Sequence, residues 1–534
     1  MKLKYLQVLF LFIVFKTFSQ ENKNVLFTID DDSYSSQEFL NTYQKNSKLN
    51  VESRNDIESY LNLFIAYKLK VKEAKSMGLD TLQSYKNELK KYKNNLVLPY
   101  LKDKEITKKL IEEAYARLKK EVSVSHILIF LKPNAPDKDT LAIYNSLNEA
   151  RNLIINGEDF AEVAKRYSKD PSVQQNGGSV GYFTALQMVY PFENVAFTTP
   201  VNGVSMPFRT KFGYHILKVN AIRDSKGEVE VAHIMFKNNT KSSKKQIDSV
   251  YNLLFNKAAN FADLAKKVSE DKASAIKGGK LKKFGAGQMI ESFNDVAFSL
   301  KENGDISKPF KSKFGWHIVK LIKKYPIESF EELKAKLTQD VEKDERSNLI
   351  GKSVLKKLFK QYNVTVNEQA LHQFNVENWK ENPANFKQVL LSINGENIFQ
   401  NKFITYLKTV NNTPVKEAFT GFKEKEVLDY FKENIEYTNA EFAIVYNEFK
   451  EGLLLFDLLE KQVWEKAKDS TGLLNYFNVN KAEKYNKKDF KDIKGTVISD
   501  YQNHLEIMLV KQLKEKYKVR VNKSEKRNVK KVNL

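Results

Sequence analysis

Apolar positions along this chain follow three different rhythms, and each predicts a different kind of element. At the start, Lys2 and Lys4 precede an apolar run from Tyr5 to Phe15, and Thr17 and Ser19 put small residues just before Gln20. That is the pattern of a secretory signal peptide, too short to span a bilayer. The mature chain is therefore expected to begin near Gln20 and to be exported. No other segment approaches eighteen consecutive apolar residues, so no integral membrane segment is expected in it.

A second rhythm is helical and fills the flanks. Ser53 and Asp56 make a capping-box pattern before an amphipathic stretch that ends at Met77-Gly78, with Gly78 placed as a C-cap. A second helix is predicted to reach Pro99, and a third to run from Lys104 to Lys120. Far downstream, Ser329 and Glu332 form another capping box, opening one long helix with apolar positions at Leu333, Leu337, Val341, Leu349 and Leu358. VLFTIDDDSYSSQEFLNTY from Val25 echoes VLLSINGENIFQNKFITYL from Val389, predicting a strand, turn, strand and helix start used twice. The rest, to about Tyr517, reads as helical pattern broken by Asn/Gly loops, and the last residues read as a solvated basic tail.

The third rhythm is a repeat. VSHILIF from Val124 and VAHIMF from Val231 are β-prone runs with a histidine inside. Gly177-Gly178 answers Gly278-Gly279, Gln187-Met188 answers Gln288-Met289, and Phe192 answers Phe293. Val195-Ala196-Phe197 matches Val296-Ala297-Phe298, and Lys211-Phe212-Gly213-Tyr214-His215 matches Lys313-Phe314-Gly315-Trp316-His317. Agreement over about ninety residues is a duplicated domain. Each copy reads as a His-bearing strand, helices (140–156 and 160–168 in the first), a Gly-Gly turn, a short helix near Glu193 to Phe197, and a hairpin ending in HILKV or HIVKL. This is an α+β unit whose two His-bearing strands could lie side by side.

Composition narrows the picture. A length of 534 residues allows three or four domains, and 42% hydrophobic with 29% charged residues argues for a globular chain. The net charge of +22 raises nucleic acid as a partner. However, +3 sits before residue 20 and +8 after residue 510, which leaves +11 spread thinly over the remainder; a nucleic-acid footprint is denser. Cysteine is absent, which excludes disulfides, thiolate metal sites and a cysteine nucleophile.

A lone histidine on an apolar strand is more often a satisfied core residue than a catalyst. Here four of six histidines fall at two matched positions in two copies, which favours a shared role. That role is either chemistry or a polar contact the fold itself requires. Neither copy offers a serine elbow or a third metal ligand. Met188 with Phe192, and Met289 with Phe293, form either core or pocket. The glycine pairs lack the Lys-Ser/Thr of a phosphate cradle.

Taken together, His in the first strand, Gly-Gly, Gln-Met, Phe four residues on, Ser-x-Pro, and Phe-Gly-aromatic-His-Ile resemble the parvulin family of peptidyl-prolyl isomerases over about 195 residues. The wider arrangement resembles the SurA-type periplasmic chaperones, although the region beyond about Phe386 has no place in that pattern. The implied fold class is α+β, with two tandem parvulin-like domains flanked by largely helical chaperone-like regions. The expected division is a signal peptide at 1–19, a mainly helical region at 20–121, parvulin-like domains at 122–222 and 229–325, a helical linker at 326–385, a mainly helical region at 386–517 and a basic tail at 518–534.

In parvulins a histidine pair supports a network beneath the site, a Cys or Asp sits above it, and Leu, Met and Phe hold the proline ring. Residue by residue, the resemblance implies His126, Asp170, Thr210 and His215 as catalytic residues in the first domain, with Val180, Met188 and Phe192 as the proline pocket. In the second it implies His233, Asp271, Ser312 and His317, with Leu281, Met289 and Phe293. Lys282 replaces the glycine that the first copy keeps as Gly181; if that position needs positive φ, the lysine strains its loop, which favours the first domain as the better enzyme. No cofactor or metal is implied.

The implied function is an exported isomerase and chaperone of the periplasm. Its expected partners are unfolded polypeptides with X-Pro bonds, outer-membrane protein precursors among them, and not nucleic acid; the oligomeric state stays open. A non-catalytic holdase whose parvulin units only bind peptide is the alternative.

Overall fold

The repeated middle of the chain folds as two copies of one α+β unit. The structure, a computed structural model, describes residues 24–47, 57–132, 135–410, 413–486 and 488–531. The signal-peptide pattern and the Ser53/Asp56 capping pattern lie outside the described residues. In chain order the strands are β1 (Val25–Ile29), β2 (Asp32–Ser35), β3 (Lys120–Phe130), β4 (Ser179–Phe183), β5 (Phe208–Thr210), β6 (Gly213–Asp224), β7 (Glu228–Lys237), β8 (Phe310–Ser312), β9 (Gly315–Tyr325), β10 (Val364–Val366), β11 (Val389–Ile393), β12 (Glu396–Phe399) and β13 (Val519–Val521). Among the described residues they form sheets ordered β4-β3-β6-β5, β7-β9-β8, β13-β1-β2 and β10-β11-β12.

In the first unit, β3 lies antiparallel to β6, so the two His-bearing strands are neighbours. Alternation along β3 sorts its residues by face. Val122, Val124, His126 and Leu128 face one way, toward Phe192, while Ile127 and Ile129 pack against the helices Asp137–Ile155 and Phe160–Tyr167. The second unit repeats this on β7, with Val229, Val231, His233 and Met235 on one face and Ala232, Ile234 and Phe236 on the other. Both short helices start with an apolar phenylalanine behind a capping side chain, Asp159 before Phe160 and Asn260 before Phe261.

The two copies differ at β4. In the first unit it pairs with β3 through a bulge that sets Gly181 opposite Val124, with Gly181 at φ +78°. The second unit makes only the isolated bridges Val229–Phe284 and Ala232–Lys280. Lys282 is not among the residues with positive φ. The expected strain is therefore absent: between its two bridges the second unit spans the same three-against-four register as the first, yet does so without turning Lys282 to positive φ. A strained side chain lies five residues further on and in the other unit: Leu186 sits at φ +65°, where the second unit has Gly287 at φ +73°.

Chain contacts divide the protein into two units, residues 99–431 and the remainder. In the first, helices Lys104–Leu118, Phe330–Lys343 and Arg346–Gln361 share a core of Leu110, Ile111, Ala114, Leu337, Val341 and Ile350. The Ser329/Glu332 capping box is present. The single long helix expected after it is two helices, because Asp344 takes the Arg346 N–H and the Arg346 side chain turns inward. In the other unit, β1, β2 and the helix Ile57–Ser76 build one core with Leu454, Leu458, Leu509, Leu513 and Val529.

Residues 518–531, read from the sequence as part of a solvated basic tail, are therefore ordered. Val519 to Val521 pair with β1, the helix Lys523–Lys531 buries Val529, and Lys526 and Lys530 bind Glu58. Its basic residues are the exposed side of an ordered element. Among the described residues, no helix is long and apolar enough to cross a membrane.

Candidate active sites

The Gly-Gly turn positions the first histidine of each unit through the backbone. The His126 N–H donates to the Gly178 carbonyl at 2.8 Å, and a Cβ on Gly178 would lie 2.4 Å from the His126 carbonyl oxygen. His233 and Gly279 repeat this at 2.8 and 2.3 Å. Only glycine permits such an approach at φ +83°, the value at both positions.

The histidine rings lie nearly parallel, 5.7 Å apart for His126 and His215 and 5.9 Å for His233 and His317. His126 Nε2 donates to Asp170 Oδ2 at 2.9 Å, and His233 Nε2 to Asp271 Oδ2 at 2.7 Å. Behind each dyad, Thr210 Oγ1 shares a 2.8 Å hydrogen bond with His215 Nε2, and Ser312 Oγ a 2.7 Å bond with His317 Nε2. All four Nδ1 atoms are buried without a partner among the described residues. Phe192 and Phe208 enclose His215, as Phe293 and Phe310 enclose His317.

This environment keeps the histidines neutral. Burial pushes His215 down to about 3, helped by the neighbouring His126, and His317 down to about 4, helped by His233. Burial also lowers His126 and His233, although their aspartates pull the other way. For Asp170, burial raises the carboxyl, but the Ser172 N–H and hydroxyl together with His126 outweigh it, so the net shift is downward. Asp271 follows the same balance through Ser274, His233 and the Ala273 N–H. Each unit thus sets a carboxylate at the mouth of a neutral, water-poor dyad.

Each dyad forms one wall of a cavity, of about 570 Å³ in the first unit and about 680 Å³ in the second. His126, Asp170, Val180, Met188, Phe192 and His215 line the first, and His233, Asp271, Leu281, Met289, Phe293 and His317 the second. Thr210 and Ser312 lie off the walls and are linked to them through the histidines they bind. Phe192 and Phe293 belong to both cavity and core, being 5% and 4% exposed. Met188 stands in the turn before the helix Tyr190–Thr198, so its pairing with Phe192 comes from that turn and not from helical spacing.

Sequence reasoning left out two rim positions, although it quoted the motifs that contain them. Phe212 and Phe314, half-exposed, close one side of the cavities, and Gln187 and Gln288 close another. Gln187 also joins the units. Its Oε1 accepts from Thr184 N at 3.0 Å, and its Nε2 donates to the Ala286 carbonyl of the second unit at 3.1 Å. Among the described residues, no cluster of His, Asp and Glu is suited to a metal ion.

This geometry of apolar cavity, histidine dyad and bridging carboxylate defines a class. Residues 126–221 and 233–323 match the rotamase family, described as the PPIC-type PPIASE domain, and are two parvulin-class domains in tandem. Over about two fifths of its length the chain is similar to chaperones named SurA. Chaperone SurA of Pseudomonas syringae pv. tomato is 30% identical over 221 residues, covering 40% of this chain and 51% of that protein. Chaperone SurA of Pseudomonas aeruginosa is 30% identical over 227 residues, covering 41% and 54%. The crystal structure of the peptidylprolyl isomerase PrsA from Bacillus anthracis is 31% identical over 25% of this chain and 60% of that one, with a TM-score of 0.19. The chain spans about half the length of the curated relatives it matches.

Proposed function

We propose that the protein is an exported peptidyl-prolyl cis-trans isomerase and chaperone of the periplasm, acting on unfolded polypeptides that contain X-Pro bonds, including outer-membrane protein precursors. The observation that carries this reading is the double occurrence of one constellation: an apolar cavity with a Met and a Phe on its wall, beside a neutral histidine dyad bridged to a carboxylate.

Rotation about an X-Pro bond must cross about 18–20 kcal/mol of amide resonance, and no bond is broken. It needs neither nucleophile nor cofactor. Met188 and Phe192, or Met289 and Phe293, grip the proline ring and exclude water. The twisted amide has lost charge separation and is favoured in that setting over the planar one. Asp170 and Asp271 shape the field at the carbonyl, and the dyads hold them in place. Thr210 and Ser312 fix the ring orientation of His215 and His317.

Chaperone binding is assigned to the regions outside the rotamase domains. A cleft of about 1190 Å³ between the helix Ile57–Ser76 and the helix Ala440–Leu459 is lined by Tyr60, Phe64, Tyr67 and Tyr85, with Lys68 held between Glu38 and Glu451. Such a surface suits extended, aromatic-bearing segments. The test is a proline-isomerisation assay on the full chain and on fragments 122–222 and 229–325, beside an aggregation assay with an unfolded client. Activity lost in Met188→Ala with Met289→Ala, and aggregation suppression retained, is the expected result. Recovery of the protein by osmotic shock, beginning near Gln20, checks the compartment.

A further inference from the structure

Two short segments of the chain repeat each other. Tyr362-Asn-Val-Thr-Val-Asn367 and Tyr517-Lys-Val-Arg-Val-Asn522 each follow a long helix, form a three-residue strand, and open another helix, Glu368–Val376 or Lys523–Lys531. The asparagine side chain caps the new helix in both, accepting from Ala370 N at 3.0 Å and from Ser524 N at 3.0 Å. The seventh residue after it, Phe374 or Val529, is buried.

Each strand lies antiparallel on one of the two hairpins whose sequences echo each other, and the register is the same. Val364, Thr365 and Val366 face Ile393, Ser392 and Leu391, and Val519, Arg520 and Val521 face Ile29, Thr28 and Phe27. The flanking bonds repeat as well. Asn394 N–H donates to the Asn363 carbonyl at 2.8 Å, and Asp30 N–H to the Lys518 carbonyl at 2.9 Å. In return, the Asn394 and Asp30 side chains accept from Asn363 N and Lys518 N at 2.8 and 2.9 Å. Asn367 N and Asn522 N both reach across, to the Leu390 and Leu26 carbonyls, at 2.9 Å. The turn residues agree in conformation, Asp30 at φ +51° and Asn394 at φ +48°.

Backbone hydrogen bonds supply most of the affinity when a strand adds to a sheet edge, and pockets for side chains supply the selectivity. The backbone pattern is common to both seats. The seats differ in side-chain contacts: the knob is Phe374 or Val529, Thr365 bonds Ser392 and Gln400 bonds the Ala370 carbonyl in one, and in the other Lys526 and Lys530 pair with Glu58, Glu525 with Ser36 and Tyr517 with Glu73. We infer that the two strand–helix segments are interchangeable, so that the C-terminal segment, residues 517–531, also seats on the β11–β12 hairpin in place of β10. Exchange of this kind links regions far apart in sequence, and between two copies it makes an arm-swapped dimer.

The absence of cysteine makes the test clean. Ser392→Cys with Arg520→Cys in the full chain places thiols at positions that face each other only in the exchanged pairing. Thr28→Cys with Arg520→Cys reports the resident one. Ser392→Cys with Ser299→Cys, at an exposed site outside both sheets, measures random collision. Under mild oxidation the exchanged pair should close at least about fivefold faster than the collision control, a margin corresponding to a coupling of ordinary size. Electrophoresis then tells a cross-link within one chain from one between copies, and either supports the inference. Closure no faster than the control overturns it. As a check that needs no substitution, a synthetic 362–376 peptide should compete with a labelled 517–531 peptide for the unmodified chain within about tenfold, which is 1.4 kcal/mol; failure to compete also overturns it.

Discussion

Arg346 and Glu193 are both wholly buried and bonded to each other, with Arg117 reaching the same carboxylate oxygen at 3.1 Å. The pair joins the helix Arg346–Gln361 to the first rotamase domain, in the helix after its Gln-Met turn. Glu193 Oε2 also accepts from Leu186 N at 2.8 Å, which holds that residue in its left-handed conformation against the helical core. At the matching position the second domain has Asn294, buried with its Oδ1 unpartnered among the described residues. The first domain is thus anchored to the flanking helices by a buried ionic contact that the second does not repeat.

Removing one partner of that contact leaves an uncompensated buried charge. Arg346→Ala is expected to destabilise the protein by about 3–5 kcal/mol. Asn294→Ala should cost about 1 kcal/mol, because its Oδ1 has no bond to lose. Chemical denaturation of both variants checks the contrast, and equal losses would contradict it.

The two pocket side chains should separate binding from stability. Phe192 is part of the core, so Phe192→Ala should lose isomerase activity together with about 3–5 kcal/mol of stability. Met188, on a turn at the cavity wall, should lose activity on change to Ala with a melting temperature close to the parent's. Thermal melts run beside the assay decide between these outcomes.

Acid should destabilise the protein through its second-strand histidines. The folded-state values of His215 and His317, about 3 and about 4, lie below the ordinary 6.5. Their contribution is therefore fully present above pH 6.5 and is lost as pH falls toward those values, because the unfolded chain then binds protons that the folded chain refuses. The slope approaches about 1.4 kcal/mol per pH unit for each histidine. Denaturation midpoints measured from pH 7 to 4.5 should fall steadily, and His215→Gln should flatten the curve. A pH-independent midpoint would refute the burial argument.

The contact between the two rotamase domains depends on a glycine. A Cβ on Gly287 would stand 2.7 Å from the Tyr182 carbonyl oxygen, whereas one on Gly304, also at positive φ, would meet nothing within 4 Å. Gly287→Ala should therefore expose the Gln187–Ala286 contact to proteolysis or hydrogen exchange, and Gly304→Ala should not. Both pay a similar backbone cost, about 1 kcal/mol, so the difference isolates the contact.

The sequence was most informative where structure is local or repeated. Matched spacings of His126 with His233, Gly177-Gly178 with Gly278-Gly279, and Met188 with Met289 identified the domains and their pocket walls, because a pocket built twice leaves the same intervals twice. Capping at Ser329 and the C-terminal role of Gly78 were legible for the same reason: they depend on neighbours a few residues away. The basic end was misread because charge dominates its composition, whereas the signal that places it is the alternation of Val519 and Val521, whose partner β1 lies at the opposite end of the chain.

What the chain determined by itself is the list of side chains and the periods that assign them to faces: His126 and Val124 on one side of β3, Ile127 on the other. Tertiary structure decided which of those faces meet. Whether Lys282 is strained depends on the path its segment takes along β7, the neutrality of His215 on burial beneath Phe192 and Phe208, and the inward turn of the Arg346 side chain on a carboxylate at Glu193. Each of these involves a long-range contact, whose energy depends on which groups are taken out of water together and paired, and no local pattern records it.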